Sequence, residues 1–199
     1  MSIASTIFRE IENIPSGQVF CIDHFRTLCT SENLRKIISR LNKAGVVKKI
    51  TNGVFVKPKI IQNKLIIPTG QAVIDRISEK TGETIVIHGS EAVRLLGICT
   101  QISLKPVYYT TGRTREIKAA NQNIKLIHIN PRLLSSNNQT VNLVIAGIHY
   151  LSKNNFNCDI LEQIKSKIPA TEFVALIDVI PKMPVWMRNI FIKYLQKEL

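Results

Sequence analysis

The dipeptide Asn52-Gly53 constrains the fold of this chain more than any other feature of its sequence. It lies between two short runs of strand type, residues 46–51 and 54–57. Asn-Gly between two such runs is the strongest two-residue signal for a β-hairpin. Because three helical patterns precede it, the predicted order is three helices and then a hairpin. This is the order of a winged helix-turn-helix, whose recognition helix lies in the major groove of DNA.

The three helices are predicted from apolar residues at helical spacing and from capping residues at their ends. They cover residues 2–13, 24–29 and 31–44, with Asp23 and Ser31 as the N-caps of the second and third helices. The residues expected to be buried are Ile3, Ile7, Phe8 and Ile11 in the first helix, Phe25 and Leu28 in the second, and Leu34, Ile37, Ile38 and Leu41 in the third.

Cationic side chains occupy the opposite face of the third helix, and more lysines lie on and beside the hairpin. A helix with one apolar face and one cationic face fits into a groove between phosphate walls. The alternative is a solvated basic face on an ordinary three-helix unit. The predicted DNA-binding residues are Ser31, Arg35, Lys36, Ser39, Arg40, Lys43, Lys48, Lys49, Asn52, Gly53 and Lys57, with Lys59 beside them.

The charge of the chain points to the same class of partner. Its 199 residues include 27 Lys and Arg against 14 Asp and Glu, a net charge of +13 with a pI near 9.8. The excess is densest in residues 1–60, with ten basic residues against four acidic ones. An excess of this size implies a polyanion, either nucleic acid or an anionic membrane surface.

Four scattered cysteines without a Cys-x-x-Cys pair suit reduced thiols in the cytoplasm. Neither a secretory signal nor a stretch apolar enough to span a bilayer is recognised. We therefore expect a cytoplasmic protein without a membrane partner and without a cofactor.

The remainder of the chain is predicted to hold two further regions, so that the whole is of the α+β class. A boundary near residues 58–63 and a polar linker at residues 135–140 separate domains at 1–60, 61–135 and 136–199. The middle domain is a small α/β unit, and the last is helical. The helices are expected at residues 69–80, from 90 to 97, 141–153, 158–168 and 185–199, and the strands at residues 84–88, 106–110 and 124–129.

Two stretches of the sequence resemble a known family. One is the helix and hairpin at residues 34–45, 52–55 and Pro58. The other runs through His88-Gly89-Ser90-Glu91-Ala92, Leu96-Gly97-Ile98-Cys99-Thr100-Gln101 and Tyr109-Thr110-Thr111-Gly112-Arg113-Thr114-Arg115. Together they make roughly residues 20–130 similar to the AbiEi-type antitoxins of bacterial type IV toxin–antitoxin systems and to related predicted regulators.

The resemblance implies a DNA-binding repressor of its own operon, without enzymatic activity. It also implies antagonism of a partner toxin that looks like a nucleotidyltransferase. The residues that the resemblance implies as DNA contacts are Arg35, Lys36, Ser39, Arg40, Lys43 and the Asn52-Gly53 hairpin. A homodimer is a further expectation, because two-fold operators usually bind dimers.

Other partner contacts are predicted outside the first sixty residues. Arg113, Arg115 and Lys118 form a second basic cluster, which is either an auxiliary phosphate or partner contact or a solvated turn. The apolar stripe of the last helix either packs within the chain or binds a partner. The stripe consists of Trp186, Met187, Ile190, Phe191, Tyr194 and Leu195.

Three catalytic or metal patterns are incomplete. Gly89-Ser90 resembles the opening of a nucleotidyltransferase site, but no acidic residue follows between residues 98 and 109. Ser90 is therefore interpreted as a helix cap. Glu116-Ile117-Lys118 is half of a nuclease motif, and Cys21, His24 and Cys29 lack a fourth zinc ligand.

Three functions thus stay open at this point. The first is a DNA-binding regulator, the second is a toxin-neutralising module with secondary DNA binding, and the third is a metal-dependent nuclease. The isolated histidines 88, 128 and 149 are expected to be structural.

Overall fold

The structure is a computed structural model that describes residues 2–62, 64–66, 68–100, 105–119, 122–134 and 138–197. Several features predicted above include residues outside these ranges. They are the boundary at residues 58–63, the family motif that ends at Gln101 and the linker at 135–140. Across the described residues the chain is of the α+β class, as predicted.

The chain forms two compact units. The first contains Met1–Glu83 and Glu116–Ile124, and the second contains Thr84–Arg115 and Lys125–Leu199. The first unit holds the elements α1 (Ile3–Asn13), β1 (Val19–Cys21), a 3-10 helix (Ile22–Phe25), α2 (Ser31–Lys43), β2 (Lys48–Thr51), β3 (Val54–Val56), β4 (Lys59–Ile61), β5 (Lys64–Ile66) and α3 (Gly70–Thr81).

A three-stranded antiparallel sheet and two helices form the centre of the first unit. The strand order is β1-β3-β2, so that β3 pairs with both of the others. The predicted Asn52-Gly53 hairpin is confirmed, with Thr51 paired to Val54. The core between sheet and helices contains Ile7, Ile11, Phe20, Phe25, Leu34, Ile37, Ile38, Val47 and Phe55.

The local predictions for this unit are confirmed in part. The predicted first helix is confirmed, but only Ile7 and Ile11 are buried in it. Ile3 and Phe8 are 45% and 41% exposed, so the expected burial of all four residues was wrong. The predicted second helix at 24–29 is wrong as well. A single 3-10 turn from Ile22 replaces it, and it still buries Phe25.

The cap of α2 also differs from the prediction. Thr30 is the N-cap, since its hydroxyl accepts a hydrogen bond from the backbone N–H of Asn33, and Ser31 is the first helical residue. Both residue types are good caps, so the sequence alone could not choose between these neighbours.

Helix α3 belongs to the first unit rather than to a separate middle domain. Its buried residues Val73, Ile74 and Ile77 lie on one face, and the helix contacts β1 and β3. The Cys21 thiol donates to the carbonyl oxygen of Arg76 at 3.1 Å. The first unit therefore extends past residue 60, and the boundaries predicted at 60 and 135 do not coincide with the two units.

The second unit combines a mixed sheet with five helices among the described residues. Its elements are β6 (Ile85–Ile87), α4 (Gly89–Leu95), β7 (Val107–Thr110), α5 (Gln139–Asn155), α6 (Cys158–Lys167), α7 (Ala170–Asp178), a second 3-10 helix (Ile180–Lys182) and α8 (Val185–Lys197). The sheet order is β6-β7-β9-β8. Strand β9 (Gln122–His128) contributes Lys125–His128 to this unit, and β8 (Arg115–Ala119) belongs to the first unit from Glu116 onward.

The pairing in this sheet is antiparallel between β6 and β7 and parallel between β7 and β9. The helices bury a large apolar core that includes Val144, Ile148 and Leu161, each at 0% exposure. The stripe of α8 contributes Met187, Phe191 and Tyr194 to this core, and Trp186 and Ile190 pack against it. The apolar stripe of the last helix thus packs within the chain.

Candidate nucleic-acid interface

An open groove of about 530 Å³ lies in the first unit, with all of its lining residues before residue 84. Its walls are α2, the 3-10 turn, the β2–β3 hairpin and the end of α3. Polar and cationic side chains line these walls together with one acid, Asp23, whose carboxylate lies 2.7 Å from Nε of Arg26. Apolar side chains such as Leu34 and Phe55 complete the lining. The cationic members are Arg26, Arg35, Lys49 and Lys80, and the uncharged polar members are Ser31, Ser39, Asn42 and Asn52.

Two rows of side chains share the exposed surface of α2. Arg35, Ser39 and Asn42 line the groove, at the four- and three-residue spacing that places residues on one helix face. Lys36, Arg40 and Lys43 form a second exposed row, one position further along the helix. The predicted cationic face is therefore present, and only one of its rows borders the groove.

The ion pair on α2 is weak. Lys36 Nζ lies 2.8 Å from a carboxylate oxygen of Glu32, and the two side chains are 65% and 80% exposed. Pairs of this kind on a helix surface contribute about 0.3–0.5 kcal/mol. A phosphate oxygen can therefore replace Glu32 as the partner of Lys36 at little cost.

Asn42 holds the hairpin against α2. Its side-chain oxygen accepts a hydrogen bond from the backbone N–H of Lys49 at 2.9 Å. This bond connects the last turn of the helix to β2 and fixes the strand that carries Lys48 and Lys49. Asn42 was not among the predicted site residues, because nothing in the sequence marks a bond from its side chain to a strand.

Lys80 fixes the turn of the hairpin from the end of α3. Its ammonium group donates to the carbonyl oxygen of Asn52 at 2.9 Å. A Cβ atom on Gly53 would lie 2.1 Å from Lys80 Nζ, and Gly53 has a φ of +75°. Glycine is favoured here by its backbone conformation, whereas the end of the flexible Lys80 side chain could move away from a Cβ atom.

The hairpin turn is not of type I′, although Asn-Gly often forms that turn. Type I′ needs a positive φ at both central residues, and of the two only Gly53 has one. The pairing of β2 with β3 shifts register between Lys49 and Thr51. Ile50 is therefore one extra residue on β2 directly before the turn.

The other residues predicted to contact DNA differ from one another in exposure and in hydrogen bonding. Lys48 is exposed on β2, whereas Lys57 is half-buried and donates its ammonium to the carbonyl oxygen of Glu12 at 2.6 Å. Lys57 thus stabilises the end of α1, where a positive charge favours the unpaired carbonyls. In the second basic cluster, the Arg115 guanidinium donates to the carbonyl of Arg113 at 3.1 Å, and Lys118 is exposed on β8.

The described residues do not supply a set of metal ligands for the nuclease or the zinc site considered from the sequence. Among the described residues, no group of three or more His, Cys, Asp or Glu side chains is arranged to hold a metal ion. Cys21 and Cys29 are half-buried free thiols, and burial raises the pKa of Cys21. Glu116 and Lys118 are exposed on β8.

The interpretation of Ser90 as a helix cap is wrong, because His88 has this role. His88 Nδ1 accepts from the backbone N–H of Ser90 at 3.3 Å and lies 2.8 Å from the Ser90 hydroxyl. Since Nδ1 accepts from the backbone N–H, the proton of the neutral ring is on Nε2. Histidine is an unusual N-cap, and so the pattern favoured the serine.

His88 belongs to a cluster of rings inside the second unit. Its ring centroid lies 4.6 Å from that of Tyr109, and the Tyr109 centroid lies 5.4 Å from that of His149. Burial lowers the pKa of His88, and the nearby His149 lowers it further. Burial also lowers the pKa of His149 and raises that of Tyr109 to about 12.

These two histidines make the stability of the second unit depend on pH. Between their lowered pKa values and the ordinary value of 6.5, the unfolded chain binds more protons than the folded one. We therefore expect the free energy of unfolding to decrease as the pH falls from about 8 to about 5. The free energy of unfolding at each pH is measured by urea denaturation, with the fluorescence of Trp186 as the signal.

A matched pair of variants isolates the contribution of His88. His88→Asn keeps a good N-cap and removes the titrating ring, so the decrease on acidification should be smaller. His24→Asn changes an exposed histidine of the first unit and should leave the decrease unchanged. An identical pH dependence in His88→Asn and the wild type would contradict the assignment to His88.

Comparisons with known proteins give a family without a known activity. A family model described as "Family of unknown function (DUF6088)" matches residues 6–172, more than half of the chain. No curated protein and no solved structure matches. Among the described residues, no helix is both long and apolar enough to cross a bilayer.

Proposed function

The chain belongs to the DUF6088 family, and we propose that it is a transcriptional regulator that binds double-stranded DNA. In this proposal residues 1–60 act as a winged helix-turn-helix. Helix α2 is the recognition helix, and the β2–β3 hairpin is the wing. The observation that carries the proposal is the cationic surface of α2 beside a groove that the hairpin borders on its other side.

The order and pairing of the elements support the winged interpretation. Strand β1 precedes α2 in the chain and pairs with β3, so that the hairpin is part of a three-stranded sheet in which β2 is an edge strand. One departure concerns the helix before α2, which is a single 3-10 turn at Ile22–Phe25. Phe25 is fully buried there and supplies the contact with α2 that a longer helix would make.

The two rows of α2 suit two kinds of DNA contact. Arg35 and Ser39 combine a bidentate donor with a hydroxyl, which are side chains that read base edges in the major groove. Lys36, Arg40 and Lys43 suit the phosphates along the groove wall, where charge matters more than geometry. Lys49 and Lys80 would add positive charge from the hairpin side.

The proposed target is operator DNA upstream of the chain's own gene. This follows the AbiEi-type antitoxins that the sequence resembles, as do a cytoplasmic location and a dimeric state on a two-fold operator. The neutralisation of a toxin remains a separate hypothesis. It has less support, because the α8 stripe that suggested a partner is packed into the core of the second unit.

Sequence-specific binding is the test of this proposal. Fluorescence anisotropy compares the upstream duplex with a shuffled duplex of the same composition, from about 50 to about 200 mM salt. At the higher salt concentration, we expect the upstream duplex to bind at least roughly 10³-fold more tightly than the shuffled duplex. The reason is that contacts with the bases are less sensitive to salt than contacts with the phosphates. The control is an excess of unlabelled shuffled duplex, which should leave the specific complex in place.

Equal affinity for both duplexes would overturn the regulator proposal. Both affinities should then fall steeply as salt rises, since counterion release is the source of non-specific binding. Such a result would leave a basic protein whose surface attracts any polyanion.

A further inference from the structure

The second unit carries a separate open cleft of about 640 Å³ that the proposed DNA binding does not use. Its lining residues come from three parts of the unit. Asn130 and Arg132 follow β9, His149 and Lys153 belong to α5, and Lys182 and Trp186 lie at the second 3-10 helix and in α8. The volume falls within the range of 300–1,000 Å³ that is usual for small-molecule sites.

Three cations converge on this cleft without a compensating acid. Arg132, Lys153 and Lys182 line it, and its lining contains no aspartate or glutamate. None of the three cations forms an ion pair with a carboxylate in the described part of the chain. An anion in the cleft would therefore meet three positive charges that no carboxylate of the lining offsets.

Two of these cations lie beside defined backbone features. The side-chain oxygen of Asn130 accepts from the backbone N–H of Arg132 at 3.0 Å, which sets the turn that carries Arg132. Ser152, which also lines the cleft, has a φ of +61° inside α5 and interrupts the helix just before Lys153. A serine in this conformation is strained, and such strain is found most often at functional sites.

His149 adds a neutral hydrogen-bonding group. Its Nδ1 atom is buried and has no hydrogen-bond partner among the described residues. Burial also lowers the pKa of His149 and keeps the ring uncharged near neutral pH.

We propose that this cleft binds the phosphate chain of a nucleoside di- or triphosphate. A phosphate chain carries about three to four negative charges and matches the three cations, whereas a single carboxylate would leave two unpaired. Trp186 is half-buried at the cleft, and an indole face is a suitable platform for a base. The proposal is independent of DNA binding, because every residue in it belongs to the second unit.

Trp186 makes the test direct, since it is the single tryptophan of the chain. The full-length protein is titrated with adenosine triphosphate, inorganic tripolyphosphate and adenosine while tryptophan fluorescence is recorded. We expect a saturable change with adenosine triphosphate and much weaker or no binding of adenosine. The variant Lys153→Ala/Lys182→Ala should bind about a hundredfold more weakly, at roughly tenfold for each lost charged contact.

The control variant removes the same charge elsewhere in the second unit. Lys167→Ala/Lys193→Ala replaces two exposed lysines outside the cleft and should bind like the wild type. Thermal unfolding by circular dichroism checks that both variants fold. Because all four lysines are exposed, neither substitution removes a core contact.

The outcomes separate as follows. Tighter binding of adenosine triphosphate than of tripolyphosphate supports a nucleotide. Equal affinities support the phosphate site and assign it to the phosphate chain alone. Absence of a saturable change with both phosphate compounds, equal weakening in both double variants, or adenosine binding as tightly as its triphosphate would overturn the proposal.

Discussion

The variant Arg35→Ala/Lys36→Ala/Arg40→Ala is expected to lose specific binding to the upstream duplex and to remain folded. Arg35 belongs to the row of α2 that borders the groove, and Lys36 and Arg40 belong to the second exposed row. Each lost phosphate contact should lower the slope of log K against log salt by about one. The loss of the bidentate contact of Arg35 should weaken the binding free energy for the upstream duplex by a further 1–3 kcal/mol, which is roughly a 10- to 100-fold lower affinity.

A charge-matched variant is the control for this result. Lys167→Ala/Lys193→Ala/Lys197→Ala removes three positive charges from exposed positions of the second unit. Its affinity should change only slightly, because long-range attraction is screened at about 8–10 Å. Fluorescence anisotropy on both duplexes, with circular dichroism as the folding check, gives the comparison. If the α2 variant binds the upstream duplex like the wild type, α2 is not the recognition helix.

The position of α2 could be predicted from sequence because its signals are local. Leu34, Ile37 and Ile38 keep helical spacing and are buried, and the Asn52-Gly53 hairpin lies where the dipeptide predicts it. These features depend on residues within a few positions of one another. The exposed cations Arg35, Lys36, Arg40 and Lys43 follow directly from that spacing.

Contacts between residues distant in sequence could not be predicted. Lys80 reaches the carbonyl of Asn52 across 28 positions, and Lys57 reaches that of Glu12 across 45. Both lysines resemble ordinary surface charges in the sequence, because a helical or strand pattern does not show which backbone carbonyl lies nearby. The packing of α3 on β1 and β3 is of the same kind, and it moved the end of the first unit past the predicted boundary.

The roles of His88 and Gly89 depend on contacts that a local sequence pattern does not show. The stretch His88-Gly89-Ser90 is part of the family resemblance, and the sequence pattern predicts Ser90 as the helix cap. In the structure His88 is the cap, and Gly89 is the position where a side chain would clash. The reason is the approach of helix α5, which lies more than fifty positions away in the sequence.

Gly89→Ala is expected to be strongly destabilising. Gly89 is buried at the start of α4, and a Cβ atom there would lie 2.2 Å from Tyr150 Cβ and 2.4 Å from the carbonyl oxygen of Ala146. Real Cβ atoms essentially never approach so closely, and the backbone of α5 cannot move like the end of a flexible side chain. We expect a loss of about 3 kcal/mol, at the upper end of the overpacking range.

A loss of this size should lower the midpoint of thermal unfolding by roughly 6–12 °C, at about 2–4 °C per kcal/mol for a chain of this length. Trp186 fluorescence follows the second unit, and circular dichroism follows the whole chain. Gly147→Ala is the matched control, since its Cβ would lie 3.3 Å from the side-chain Cδ1 of Leu96. That side chain can shift, and alanine gains about 1 kcal/mol over glycine inside a helix, so the control should stay within about 1 kcal/mol of the wild type. A Gly89→Ala protein as stable as Gly147→Ala would show that α4 and α5 do not approach as closely as described.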